Sequence, residues 1–375
     1  MTEIEIGRGK RGRLAYAFED VAIAPSRRTR DPESVSTVWQ IDAYRFDTPL
    51  LAAPMDSVVS PETAVEIGRQ GGLAVLNLEG LWTRYADPLP LFEEVATLDA
   101  ADPTAVTRRL QEMYSEPIKP DLIAERVAQV RSSGVITAGA LSPQNTAQLA
   151  KHVVDAGIDV FVIRGTTVSA EHVGADAIEP LNLKRFIYEL DVPVIVGGCA
   201  TYQAALHLMR TGAAGVLVGF GGGAAHTTRD VLGVSVPMAS AISDVAAARR
   251  DYLDESGGRY AHVIADGGMG RSGDIVKAVA LGADAVMVGS PLARATEAPG
   301  RGMHWGMEAG HAELPRGERV HMGTVGTLAQ IIHGPSYVAD GTMNLVGALR
   351  RAMATTGYSD LKEFQRVELV VGATR

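Results

Sequence analysis

Cysteine is nearly absent from this sequence. Cys199 is the one copy in 375 residues, which excludes an intramolecular disulfide and a thiol-rich metal site. Positive charge is not in excess either: 35 Lys and Arg stand against 44 Asp and Glu, a formal charge of −9, so broad binding to nucleic-acid phosphates is not expected. No apolar run approaches the ~20 residues that span a bilayer, and no membrane partner is expected. Residues Met1 to Arg13 alternate charges and lack the apolar segment of a signal peptide. With 46% hydrophobic and 21% charged residues the chain has ample material for a core, which excludes disorder for most of it. A soluble, cytoplasmic α/β protein is the expectation.

Glycine is what the sequence does have, in 41 copies, many directly after short apolar runs. Eight such runs recur: Pro49–Asp56, Leu73–Leu78, Ile136–Leu141, Val160–Gly165, Val194–Gly198, Gly215–Phe220, His262–Gly268 and Ala285–Ser290. Each is continuous rather than alternating, as parallel strands buried on both faces are. Helical patterns fall between them, at Pro61–Gln70, Asp121–Arg131, Ser142 to about Asp155, Glu179–Leu190, Tyr202–Thr211, Ala239–Ser256 and Gly273–Leu281. The alternation predicts a (β/α)8 TIM barrel of parallel strands forming a single domain over 1–375, with a doubly wound open sheet as the alternative. The stretch 80–134 opens with a Pro- and Asp-rich surface excursion with room for a helix or two but not for a second domain. A C-terminal extension over 299–375 ends in a helix at Gly341–Thr356.

In such a barrel the site lies at the C-terminal ends of the strands, and phosphate binds at the loops after strands seven and eight. Those loops are Asp266-Gly267-Gly268 and Gly289-Ser290, followed by helices expected to open near Gly273 and Pro291. After strand six comes Gly219-Phe220-Gly221-Gly222-Gly223-Ala224-Ala225-His226-Thr227-Thr228, a loop that carries His226 and Thr228 towards the barrel mouth. Cys199 ends strand five, either beside the ligand or as a small structural thiol.

The strand-six loop resembles the active-site loop of the IMP dehydrogenase / GMP reductase family, and the likeness continues elsewhere. It includes Ala52–Val58 (AAPMDSV), Val263–Gly268 (VIADGG), Val286–Ser290 (VMVGS), Glu297–Gly300 (EAPG) and Asn344–Gly357 (NLVGALRRAMATTG), covering about Phe18 to Val371. The resemblance implies a purine 5′-monophosphate attacked at C2 by a loop cysteine, with hydride passing to or from NAD or NADP. It further implies that Asp266 holds the ribose, that Gly268, Gly289 and Ser290 hold the phosphate, and that Met55, Met322 and Gly323 line the purine. Gly221, Gly223 and the carbonyl of His226 would take a monovalent cation such as K+. Arg164, Gly165 and Cys199 would neighbour the dinucleotide, and Arg319 would replace a phosphate contact or remain a solvated charge. A homotetramer is implied as well.

The sequence departs from the family pattern where the chemistry is decided. His226 holds the nucleophile position, Arg164 stands where an Asp usually meets the dinucleotide, and Ala53 and Ala224 replace serines. The segment between Gly323 and Gly334 is too short for the family's mobile flap, and no room exists for its CBS module. Three functions follow from this pattern. One is an NAD(P)-dependent oxidoreductase converting IMP to XMP or GMP to IMP. Another is a nucleotide-binding protein with weak or lost turnover, acting as a sensor or beside an active paralogue. The third is an FMN-dependent barrel oxidoreductase.

Overall fold

The computed structural model describes residues 3–170, 181–220, 222–226, 228–311 and 317–372. Eight parallel strands close into a barrel: β1 (Leu50–Ala52), β2 (Leu73–Asn77), β3 (Ala138–Leu141), β4 (Val160–Arg164), β5 (Val194–Cys199), β6 (Gly215–Val218), β7 (His262–Asp266) and β8 (Ala285–Val288). Each pairs with its successor, and β8 closes on β1 in the register Val286 to Leu50 and Met287 to Leu51. All eight coincide with the predicted apolar runs. Most of their residues are buried on both faces, because helices cover the outer side and side chains fill the inner one.

The helices also follow the sequence signals. Pro61–Arg69 starts behind Ser60, whose hydroxyl accepts from the Thr63 amide while the Thr63 hydroxyl accepts from the Ser60 amide. Helices Pro120–Arg131, Pro143–Asp155, Leu183–Tyr188, Tyr202–Arg210, Met238–Glu255 and Ser272–Ala280 fill the next connections. The helix expected at Pro291 is different. Only the single turn Leu292–Arg294 forms there, after which Ala295 becomes extended and bridges Gly326, and the helix that completes the eighth unit is Leu345–Thr355. Among the described residues no helix is long and apolar enough to cross a membrane.

The excursion after β2 is more than a surface feature. Its helices Leu89–Thr97 and Pro103–Ser115 build a second apolar cluster from Leu81, Trp82, Phe92, Val95, Leu110 and Met113, completed by the distant Trp305 and Ala309. A buried polar chain ties this cluster to the barrel. Trp305 Nε1 donates to Tyr114 Oη at 2.9 Å, and Tyr114 donates to Asp56 Oδ2 at 2.7 Å. Asp56 also accepts from the Leu81 amide at 2.8 Å and from Asn77 Nδ2 at 3.2 Å. Burial raises the Asp56 pKa, and these hydrogen bonds oppose the rise. Gly80 must be glycine here, since a Cβ would lie 1.9 Å from Asp56 Oδ1.

At the opposite, N-terminal end of the barrel a hairpin of Trp39–Ile41 and Tyr44–Phe46 forms a plug. Trp39 stacks on Phe46 and meets His262, the first residue of β7, edge-on at 5.9 Å. Beneath it the buried Asp284 accepts from Arg249 Nη1 and Tyr260 Oη, each at 2.8 Å, and from Lys362 Nζ. Burial opposes its charge, yet Arg249 and Lys362 hold its pKa down at about 2. Burial pushes His262 down to about 4, so it is neutral at pH 7. The strand Val21–Ile23 pairs antiparallel with Leu369–Val371, joining segments from the N-terminal and C-terminal parts of the chain.

Two outcomes follow from this architecture. Gly80→Ala is expected to lower stability by about 1–3 kcal/mol by displacing Asp56, measurable as a shift of the urea midpoint at unchanged slope. Between pH 6.5 and about 4 the unfolded chain binds a proton at His262 and the native barrel does not, so stability falls as the pH falls through this window. Asp284, held down at about 2 in the native barrel, adds its own loss only from about pH 4 downward, where the unfolded carboxylate takes up a proton. Calorimetric Tm values for His262→Gln should therefore fall less steeply from pH 6.5 to pH 4 than those of the wild type.

Candidate functional site

At the C-terminal mouth of the barrel the loops after β6, β7 and β8 converge on a cavity of about 310 Å3. The β6 loop lies backbone against backbone on the β7 loop. A Cβ at Gly219 would fall 2.2 Å from the Asp266 carbonyl, and Gly219 has a φ of +139°, which favours glycine. Gly268, at φ +73°, likewise lets the chain turn so that Gly222 can pass within contact of its amide. This close approach swings residues 222–226 over the cavity and sets His226 in its wall, with the His226 amide donating to the Gly223 carbonyl at 3.0 Å.

The structure brings together most of the residues expected at the site. Met55, Asp266, Gly268, Gly289, Ser290, Met322, Arg164, Gly223 and His226 all line the one cavity, as do Ala53 and Ala224. Thr228 and Gly165 are set beside it. With Arg164, Thr166, Gly219, His226, Asp266 and Glu308 they enclose an adjoining chamber of about 20 Å3, the size of a single water. Gly221 lies outside the described residues. Gly323 supports the cavity from behind, its amide and that of Met322 both donating to the Gly302 carbonyl.

Two expected contacts are placed elsewhere. Arg319 does not reach the cavity, because its guanidinium donates to the carbonyls of Val95 and Leu98 at the end of helix Leu89–Thr97. It is neither a phosphate ligand nor a freely solvated charge. Cys199 points into the barrel wall, fully buried, with its thiol donating to the Leu217 carbonyl at 3.4 Å. Burial alone pushes that thiol up to about 12, so it is inert and does not touch the site.

The electrostatics of the mouth are organised in pairs. Arg164 Nε donates to Asp266 Oδ2 at 3.1 Å. Burial works against the guanidinium charge, but Asp266 and Glu308 outweigh it and raise the Arg164 pKa. His226 Nδ1 lies 3.6 Å from Glu308 Oε2, a charge contact longer than a hydrogen bond.

Sequence reasoning passed over Glu308 and His304, which fall in the segment after Pro299 where no strand or helix periodicity marks them. His304 is buried in the cavity wall, and burial together with the neighbouring His226 pushes it down to about 4. Met55, Met269, Met287 and Met322 give the cavity polarisable apolar surfaces suited to a flat ring. The glycine loops supply backbone amides suited to an anion.

The chain matches the model of the IMP dehydrogenase / GMP reductase domain over residues 15–375. It is 55% identical over 375 residues to an uncharacterized oxidoreductase of Mycolicibacterium smegmatis, covering 99% of this chain and 100% of that one. Identity to an inosine-5′-monophosphate dehydrogenase of Thermoplasma acidophilum is 27% over 451 residues, with 94% and 90% of the two chains covered. A crystal structure of an IMP dehydrogenase/GMP reductase-like protein from Corynebacterium glutamicum superposes with a TM-score of 0.93 at 51% identity, covering 99% of this chain and 98% of that one. Barrel, loops and whole-chain similarity agree: this chain belongs to the IMP dehydrogenase / GMP reductase family.

Proposed function

We propose that this barrel binds a purine nucleoside 5′-monophosphate (IMP, XMP or GMP) and that His226 in the nucleophile position leaves the family's covalent hydride transfer weak or lost. The observation that carries this reading is the cavity itself, in which both glycine loops and His226 face one space of about 310 Å3. In this arrangement the amides around Gly268, Gly289 and Ser290 hold the phosphate. Asp266 holds the ribose, the sulfurs of Met55 and Met322 flank the base with Gly323 behind them, and C2 lies towards His226. Thr228 belongs to the chamber beside that imidazole. An imidazole is a poorer soft nucleophile than a thiolate. Cys199 offers no substitute thiolate.

The residues on the Arg164 side do not fit a nicotinamide dinucleotide. The guanidinium is already paired with Asp266, and the chamber formed with Gly165 and Thr228 holds only about 20 Å3. Cys199 is too deeply buried to touch such a cofactor. For a monovalent cation such as K+, the described part of the site offers Gly223, whose carbonyl already accepts from the His226 amide. A homotetramer, association with an active paralogue, a place in guanine nucleotide metabolism and a single-domain, cytoplasmic protein complete the proposal. The active oxidoreductase remains the second reading, favoured by the similarity to relatives named as oxidoreductases.

Two experiments test this. Isothermal titration with IMP, XMP and GMP is expected to show binding by the wild type. Gly289→Ala, whose Cβ would come within 3.0 Å of Met55 Sδ and intrude on the cavity, should bind at least tenfold more weakly. Absence of binding by the wild type to all three would reject the reading. Reduced-nicotinamide formation from IMP and NAD should be undetectable or slow in the wild type; an increase in His226→Cys would show that the Arg164 side still admits the dinucleotide, and silence from both that it does not. Rapid turnover by the wild type would reject the loss of activity. A yellow purified protein would instead establish a flavin barrel.

A further inference from the structure

His304 is 1% exposed, and its imidazole stands in the cavity wall. Its Cε1 would lie 3.3 Å from a Cβ on Gly289, and Met55 Sδ 3.0 Å from the same point, so imidazole edge and thioether share one patch of wall. Behind it, His304 Nδ1 is 2.9 Å from Ser57 Oγ, a residue with no exposed surface. Ser57 Oγ is also 3.2 Å from the Trp305 carbonyl and 3.3 Å from the Trp305 amide.

That small network determines which ring nitrogen carries the proton. Ser57 has one hydroxyl hydrogen, and the Trp305 carbonyl has no other hydrogen-bond donor among the described residues. If the hydrogen goes to the carbonyl, Ser57 Oγ accepts from both the Trp305 amide and His304 Nδ1–H, and every group is satisfied. If it goes to Nδ1 instead, a buried carbonyl is orphaned at a cost of about 1–3 kcal/mol. The satisfied arrangement leaves Nε2 with a bare lone pair. Its ring stays neutral at pH 7, being held at about 4 by burial and by His226. Nε2 has no hydrogen-bond partner among the described residues, while the ring it belongs to lines the cavity.

We propose that His304 is a specificity-determining residue that selects 6-oxopurine over 6-aminopurine nucleotides by accepting a hydrogen bond at Nε2 from the ring N1–H. The proposal rests on the mononucleotide reading above. A lone pair is the wrong complement for a phosphate dianion, so despite its place beside Gly289 the imidazole addresses the base edge next to Met55. Hypoxanthine, guanine and xanthine carry a hydrogen at N1 that meets this acceptor. Adenine presents a second lone pair there, which loses the hydrogen bond and sets two acceptors against each other. Sites built around one buried polar partner discriminate in this way more strongly than sites that only fit shape.

The test is isothermal titration of the full-length protein with IMP and with AMP, for the wild type, His304→Phe and His304→Gln. The wild type should bind IMP at least tenfold more tightly than AMP. His304→Phe should lose about tenfold to a hundredfold in IMP affinity with AMP little changed, so that the ratio collapses. His304→Gln, whose amide oxygen also accepts, should keep most of the preference and guards against a misfolded Phe variant. Equal wild-type affinities overturn the proposal, as does a preference that survives in the Phe variant; in both cases the mononucleotide reading stands. Failure of the wild type to bind IMP overturns this proposal, and failure to bind XMP and GMP as well overturns the mononucleotide reading too.

Discussion

The buried carboxylate of Asp56 is the contact on which the rest of the mouth depends. It gathers the Asn77 amide from β2, the Leu81 backbone and the Tyr114 hydroxyl, and through Tyr114 it reaches Trp305. Its neighbours in sequence do different work from the same anchored stretch of chain. Met55 presents its thioether to the cavity, and Ser57 holds the Nδ1 of His304. A single turn after β1 thereby fixes one wall of the cavity and the proton position on the histidine beside it. The low dielectric that makes an unpaired Asp56 costly is also what makes the network specific.

Charge in the mouth is arranged so that no group acts alone. Asp266 and Arg164 neutralise each other at 3.1 Å, and Glu308 faces both Arg164 and His226. The guanidinium gives the Asp266 carboxylate a partner inside a half-enclosed site. Any group that enters the cavity meets a carboxylate already committed on one side. The match to the family model over residues 15–375 gives the family, and these local pairings belong to the mouth of this chain.

The barrel was legible in the sequence because burial on both faces writes itself as continuous apolar runs, and because glycine must follow where two loops touch backbone to backbone. The same logic exposed Asp266, Gly268, Gly289 and Ser290, which follow directly from strand ends. It failed where periodicity ends. Pro291 promised a helix that ends after one turn because Ala295 bridges the distant Gly326, and the excursion read as surface because its apolar partners, Trp305 and Ala309, come from the far end of the chain. Arg319 and Cys199 were placed by position along a motif, and position does not reveal which way a side chain turns. Arg319 turned to two helix-end carbonyls, and Cys199 turned inward. His304 and Glu308 carried no signal at all beyond their residue type.

The second apolar cluster also has a meaning for synthesis. Phe92, Leu110 and Met113 leave the ribosome early, but Trp305 and Ala309, which cover them, follow only after the strands from β3 to β8 have been made. Until then two amphipathic helices present an uncovered apolar face while the barrel assembles around them. Contacts between segments so distant along the chain form late and leave sticky intermediates behind. The excursion is therefore an apolar face whose cover is made more than 190 residues after it, while Leu345–Thr355 and Leu369–Val371 come later still.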